Sequence, residues 1–205
     1  MDKWNTLADH QIIQRTIEAL KQNGINAELV SNGIEAKKRV FELMPEGAEV
    51  MNMTSRTLDA IGVAREITES GKYNSIRNKL SSMDRNTQGM EMQKLGAAPE
   101  YVIGSVNAVT KDGNILIVSN TGSQLPAYVY GSAHVIWVVG TQKIVENVDE
   151  GMKRIYDYVL GLESERINKV LNIDKGSFVS KILIIKRERK ADRITLIFVP
   201  EVLGF

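Results

Sequence analysis

The chain has 205 residues, 43% of them hydrophobic and 25% charged, with 26 Lys and Arg against 25 Asp and Glu. This length suits one globular domain able to bury its own core, and the charge balance gives no electrostatic reason to expect nucleic acid or an anionic membrane as the main partner. There is no cysteine, which excludes disulfides, thiolate nucleophiles, cysteine-ligated zinc and cysteine-held iron–sulfur clusters and agrees with a cytoplasmic setting.

The start, Met1-Asp2-Lys3-Trp4-Asn5, leads straight into an amphipathic pattern, without the apolar stretch of a signal peptide. Ile13, Ile17 and Leu20 repeat at helical spacing, with Leu7 before them, and Asn23-Gly24 closes that helix. Ile25, Ala27 and Leu29 alternate as in a strand. After the Ser31-Asn32-Gly33 turn, Ile34, Val40, Phe41 and Met44 give a second helix its core face, ended by Pro45-Glu46-Gly47. Residues 50–53 read as a strand. Thr54 or Ser55 caps the helix carrying Leu58, Ile61 and Ile67. Residues 71–83 are irregular, with Tyr73, Ile76 and Leu80 as anchors, and a helix follows over 84–95. Beyond Pro99 the character is strand: Tyr101, Ile103, Val106 and Val109, an Asp112-Gly113 turn, then residues 115–118, an expected hairpin. Residues 120–131 form a loop or short helix, and 134–139 a core strand. Val148, Met152, Ile155 and Val159 mark one helix, and 164–171 a second. Two closing strands, 179–186 and 193–199, are joined by a charged turn. The purest apolar runs, 135–139 and 182–185, are far too short to span a bilayer.

Alternating strands and helices predict an α/β fold over 1–205 as a single domain. The expected architecture is three layers, α/β/α, with a central, mostly parallel (mixed) sheet and a C-terminal antiparallel hairpin.

Four segments are candidates for binding a small anion. Asn120, Thr121, Gly122, Ser123 and Gln124 follow a strand, and Gly122 allows close backbone approach. Thr54, Ser55, Arg56 and Thr57 stand at another strand end, where a guanidinium suits phosphate or carboxylate. Gly140, Gln142 and Lys143 follow the core strand, with Lys143 as a point charge. Gly104, Ser105 and Asn107 are small or polar within a strand pattern and need partners. Each has a plainer alternative: a polar connection, an ordinary N-cap, a surface lysine, or strand-bridging polar groups. The basic run 186–190 reads as a solvated turn, interrupted by Glu188.

Much familiar chemistry is missing. His10 and His134 have no metal-ligand spacing around them, so no metal is expected, and no cofactor. There is neither a Gly-x-Ser-x-Gly elbow nor a Gly-x-Gly-x-x-Gly fingerprint, and no carboxylate lies in 120–131. His134 reads as a structural residue at the start of a core strand.

The stretch GSVNAVTKDGNILIVSNTGSQLPAYVYG (104–131) and its continuation VIWVVGTQKIV (135–145) resemble the LUD (lactate-utilisation) domain of the LutC/YkgG group. So do VMNMTSRTLDAIG (50–62) and the closing RITLIFVPEVLGF (193–205). The resemblance implies a fold like the NagB/RpiA/CoA-transferase superfamily and an association with lactate oxidation beside iron–sulfur oxidoreductase subunits. Related proteins often carry a cysteine cluster before the last strands; here 171–180 has none. The glutamate nucleophile of CoA transferases has no equivalent that can be placed in this chain.

Three functional readings follow. One is an accessory or ligand-binding subunit of lactate or other organic-acid utilisation. Another is an enzyme acting on a phosphorylated, carboxylated or CoA-linked small molecule. The third is a homodimeric binding domain of unrelated role.

Overall fold

The computed structural model describes residues 3–172 and 174–205. A short 3-10 turn, Lys3–Asn5, precedes α1, His10–Gln22. The Asp9 carboxylate caps α1 by accepting from Ile12 N at 2.8 Å, and Ile13, Ile17 and Leu20 face the core. Gly24, at φ 78°, makes the turn into β1, Asn26–Leu29. Asn32 caps α2, Gly33–Glu42. Its buried face is Ala36 and Val40, with Met44 just beyond the helix. Ile34, expected on that face, is 78% exposed, because it lies about 200° round the helix from Ala36.

β2, Glu49–Asn52, leads into α3, Arg56–Ala60, and α4, Val63–Glu69, separated at Gly62 with φ 71°. The irregular-looking 71–83 contains a two-residue strand, β3, Asn74–Ser75, and α5, Ile76–Ser81, anchored by buried Ile76. α6 is Arg85–Ala97. Then come β4, Tyr101–Gly104, β5, Ala108–Thr110, and β6, Ile115–Ser119. A π-type turn, Ala127–Gly131, precedes β7, His134–Gly140, and a 3-10 turn, Thr141–Lys143, precedes β8, Ile144–Val145. The two expected late helices are one continuous helical segment: α7, Val148–Arg154, passes through a π turn, Ile155–Val159, into α8, Leu160–Leu171. β9, Lys181–Ile185, and β10, Ile194–Val199, close the chain.

The strands form two sheets. The larger has the order β1-β10-β7-β4-β2-β3 and every pairing in it is parallel. The smaller has the order β8-β5-β6-β9; β5 and β6 form the expected hairpin around Gly113, whose φ is 83°. The α/β prediction holds, with a wholly parallel main sheet. The C-terminal hairpin is a correction: β9 pairs antiparallel with β6, while β10 enters the main sheet between β1 and β7. The reason is burial on two faces. β10 is apolar almost without alternation, as a central parallel strand must be, whereas β9 is half exposed and suits an edge.

Three cores result from the period-two alternation of these strands. Val135, Trp137, Val139, Leu196 and Phe198 face α1 and the inner side of the small sheet. Ile136, Val138, Ile197 and Val199 face α2, α3 and α4. Ala108 and Leu116, on the outer side of the small sheet, pack with Ile155, Val148 and Met152. The layer opposite α2–α4 is therefore shared between α1 and a second sheet. No helix among the described residues is long and apolar enough to cross a membrane.

Candidate functional site

In a parallel sheet all strands end on one side, so the residues following neighbouring strands β2, β4 and β7 are brought together there. Thr57, Ser105 and Lys143 occupy those positions. The Lys143 amine donates to Thr57 Oγ1 at 3.2 Å and Ser105 Oγ at 3.1 Å, and Thr57 Oγ1 lies 3.3 Å from Ser105 Oγ. Sequence spacing placed these groups 38 and 86 residues apart.

Lys143 is 1% exposed, and among the described residues no carboxylate forms an ion pair with it. Burial, with the positive charge of Arg154 second, holds its amine well below the ordinary lysine pKa. Arg154 is itself fully buried and donates to Asn107 O at 2.6 Å. Two basic groups thus share one water-poor region.

The residues before Lys143 are buried too. Gln142 Nε2 donates to Leu203 O and Gly204 O, both at 3.2 Å, while among the described residues its Oε1 and the Thr141 hydroxyl oxygen have no partner. Thr57 Oγ1 also donates to Leu203 O at 3.0 Å. The chain's last residues therefore lie over Thr57 and Gln142, and the tail is held by the same donors. Gly140 permits this: a Cβ there would stand 2.2 Å from Gln142 Oε1 and 2.5 Å from Glu201 O.

The other sequence candidates have different surroundings. Ser55 is an N-cap, accepting from Leu58 N at 3.3 Å, and Arg56 is exposed. Thr54 is exposed and accepts from Arg77 at 3.3 Å. Asn107 Oδ1 accepts from Val118 N at 2.9 Å, bridging the β5–β6 hairpin. The 120–124 loop follows β6 in the small sheet and is wired mainly to itself. Ser119 Oγ donates to Gln124 Oε1 at 2.8 Å and accepts from Gly122 N at 2.7 Å. Thr121 Oγ1 bonds Ser123 Oγ at 3.1 Å, and Asn120 Oδ1 accepts from Ser180 at 3.3 Å. Gly122 has φ 86°, and it is the Lys181 side chain that runs beside it. His134 stacks on Tyr101, ring centroids 4.5 Å apart.

Gly104 is required by packing. A Cβ there would lie 1.9 Å from the Tyr128 hydroxyl, and Tyr128 is itself wedged edge-on against Trp137, centroids 5.3 Å apart. Gly104→Ala is expected to cost about 1–3 kcal/mol as an overpacking substitution, partly recovered in the Gly104→Ala, Tyr128→Phe double variant. Urea midpoints of the four proteins check this, and additive effects in the double variant would refute the contact as the cause.

A second polar region lies on the other side of the β2 terminus. Arg77 donates to Asn52 O at 2.9 and 2.6 Å as well as to Thr54. With Asp59 and the 3% exposed Asn52 it lines an open cleft of about 410 Å³. Sequence reading missed Asn52, Arg77, Arg154 and the tail. Asn52, a polar residue inside an otherwise apolar strand, was the one visible signal among them. Among the described residues no three His, Asp or Glu gather as a metal site would require.

Comparison with known proteins fits this architecture. A family model described as LUD domain matches residues 13–199, so the chain belongs to the LUD-domain family. The fold is similar to the crystal structure of a DUF162 family protein from Deinococcus radiodurans, with a TM-score of 0.59 at 13% identity over 95% of this chain and 99% of that one. No curated protein matches.

Proposed function

We propose that this LUD-domain protein binds a small carboxylate or similar anion at the ends of β2, β4 and β7, as an accessory or ligand-binding subunit of lactate or related organic-acid utilisation. The observation that carries the binding site is Lys143: a buried amine held by two hydroxyls, with Arg154 beside it and, among the described residues, no carboxylate paired to it. A buried positive charge without a counter-ion is costly, and an anionic ligand supplies the missing partner. Thr57, Ser105 and Gln142 add neutral donors, and Leu203 O now accepts from Thr57 and Gln142, where a ligand oxygen would. The link to organic-acid metabolism and to an iron–sulfur oxidoreductase partner rests on the family resemblance.

Binding here is coupled to protonation. The free amine has a depressed pKa, and a bound anion raises it, so the complex holds more protons than the free protein. Affinity therefore falls as pH rises through the window between those two values. Titration calorimetry with lactate, pyruvate, acetate and phosphate at several pH values tests the site. The expected result is binding that weakens with rising pH and drops at least about tenfold in Lys143→Met, the scale of one lost charge-assisted contact. No binding by any of them, or equal binding by Lys143→Met, would remove it. The metabolic role is tested separately: a deletion strain growing normally on lactate, with no oxidoreductase recovered alongside the tagged protein, would count against it.

A second reading, turnover of a carboxylated or phosphorylated substrate, is favoured by the same depressed amine, since a neutral lysine can act as a base. Product appearing on incubation with a bound ligand, and lost in Lys143→Met, would establish it.

A further inference from the structure

From the cleft beside β2 we infer a second binding site, separate from Lys143, that takes a zwitterionic α-amino acid. Arg77 is anchored by Nε and Nη2 on Asn52 O and by Nη2 on Thr54 Oγ1, which leaves the two N–H groups of Nη1 without a partner among the described residues. No ion pair among the described residues neutralises Arg77. Its pKa is lowered by burial, with Asp59 acting only through space in the opposite direction. Thr54 accepts from Arg77 and keeps its own hydroxyl hydrogen to donate. These are the donors a carboxylate needs, and a guanidinium is the side chain best shaped to meet one.

The same cleft carries acceptors for a cation. Asp59 is exposed, and among the described residues its carboxylate makes no hydrogen bond to another side chain. The remaining charges in the wall cancel: Arg65 pairs with Glu69 at 2.8 Å. What is left over is one guanidinium and one carboxylate, lining a single cleft of about 410 Å³. That size suits a small molecule. A simple anion would satisfy Arg77 but would meet Asp59 with like charge. An α-amino acid places its carboxylate on Arg77 and Thr54, and its ammonium on Asp59. Met53 and Ala64 supply apolar wall for the side chain.

The test is ligand-observed NMR and calorimetry on the full chain with the standard L-α-amino acids. Each hit is compared with its carboxamide, its deaminated acid and its hydroxy-acid analogue. At least one amino acid is expected to bind, with each analogue weaker by about tenfold, the scale of one charge-assisted contact. Arg77→Gln and Asp59→Asn are each expected to weaken it similarly, while Lys143→Met leaves it unchanged, so this site and the Lys143 site fail independently. Asp59 is exposed, so Asp59→Asn keeps the test valid should Arg77→Gln not fold. The inference is overturned if no amino acid binds. It is equally overturned if the hydroxy acid binds as tightly and Asp59→Asn has no effect, which would make the cleft a plain anion site.

Discussion

Arg193→Met is expected to lower the stability of the protein by about 3–5 kcal/mol, the range for removing one partner from a buried charged network. Arg193 is 5% exposed and stands at the entrance to β10. Its guanidinium donates to Ser132 O at 2.9 Å, to Ala127 O at 3.2 Å and Tyr128 O at 2.9 Å, and to Glu188 Oε2 at 2.8 Å. The first three are carbonyls in and just after the π turn before β7; Ala127 O also accepts from Ser132 N at 3.2 Å. The fourth partner fixes the charged turn before β10, which is tied on its other side to α1 by Glu188 N donating to Asn23 O at 2.9 Å. Removal of the guanidinium takes this donor from Ser132 O and Tyr128 O and the ion pair from Glu188 at once. Arg193→Lys keeps the charge but not the fork of donors, and is expected to recover only part of the loss. Urea denaturation measures both. A fall below about 1 kcal/mol for Arg193→Met would show that water substitutes for the guanidinium.

Glu188 adds a pH dependence to that network. Burial alone would raise its pKa, but the backbone N–H of Lys190 and the Arg193 guanidinium outweigh it and hold the carboxyl below its usual value. A depressed carboxyl contributes stability that is present above its unfolded pKa and lost as pH falls through its folded one. Wild type is therefore expected to lose stability in acid more steeply than Glu188→Gln, as thermal unfolding from pH 7 to pH 3 would show; parallel curves would refute it.

The frame of the fold was legible because its signals are local. The apolar run of β7, the helical repeat of Ile13, Ile17 and Leu20, and Asp112-Gly113 between two apolar runs each specify an element within a few residues. The partner of β9 and β10 was not legible. A charged turn between two apolar strands looks the same whether they pair with each other or separate, and only the near-continuous apolar character of β10 marked it as a central parallel strand. The site divides in the same way. That strand ends carry polar residues is visible in sequence, so Thr57, Ser105 and Lys143 were all named. Which of them meet depends on β2, β4 and β7 being neighbours, a matter of topology. The 120–124 loop has the richest polar composition, but it follows β6 in the other sheet, and its hydroxyls and amide are spent largely on its own backbone. The covering of Thr57 and Gln142 by Leu203 and Gly204 joins residues too far apart for any sequence pattern to show.

Lys143→Met is expected to make the protein more stable while abolishing anion binding at the strand ends. Met nearly matches the length of the lysine stem, and it removes a charge whose burial is not offset by a carboxylate. Replacing buried charged groups with well-packed apolar ones stabilises by about 1–4 kcal/mol in other proteins. Thr57 keeps its hydrogen bond to Leu203 O at 3.0 Å, and Ser105 is only partly buried, so the loss of two bonds from the amine costs less than the charge did. The pH profile separates this cause from simple repacking. In the folded chain the lysine pKa is depressed, so between that value and its unfolded value near 10.4 the unfolded state binds more protons. Wild-type stability consequently gains from this residue as pH rises through that window, and carries the full penalty below it. Every other group cancels in the difference between the two proteins. The advantage of Lys143→Met is therefore expected to be greatest near neutral and acid pH and to shrink towards pH 10. An advantage that does not change with pH would mean that the amine is not charged at a cost in the native protein. A destabilised variant would mean that its two hydroxyl bonds outweigh its burial. A residue that costs stability and sits where three strands end is placed where retention for binding would be expected, and the pH-dependent difference is the measurement that connects those two properties.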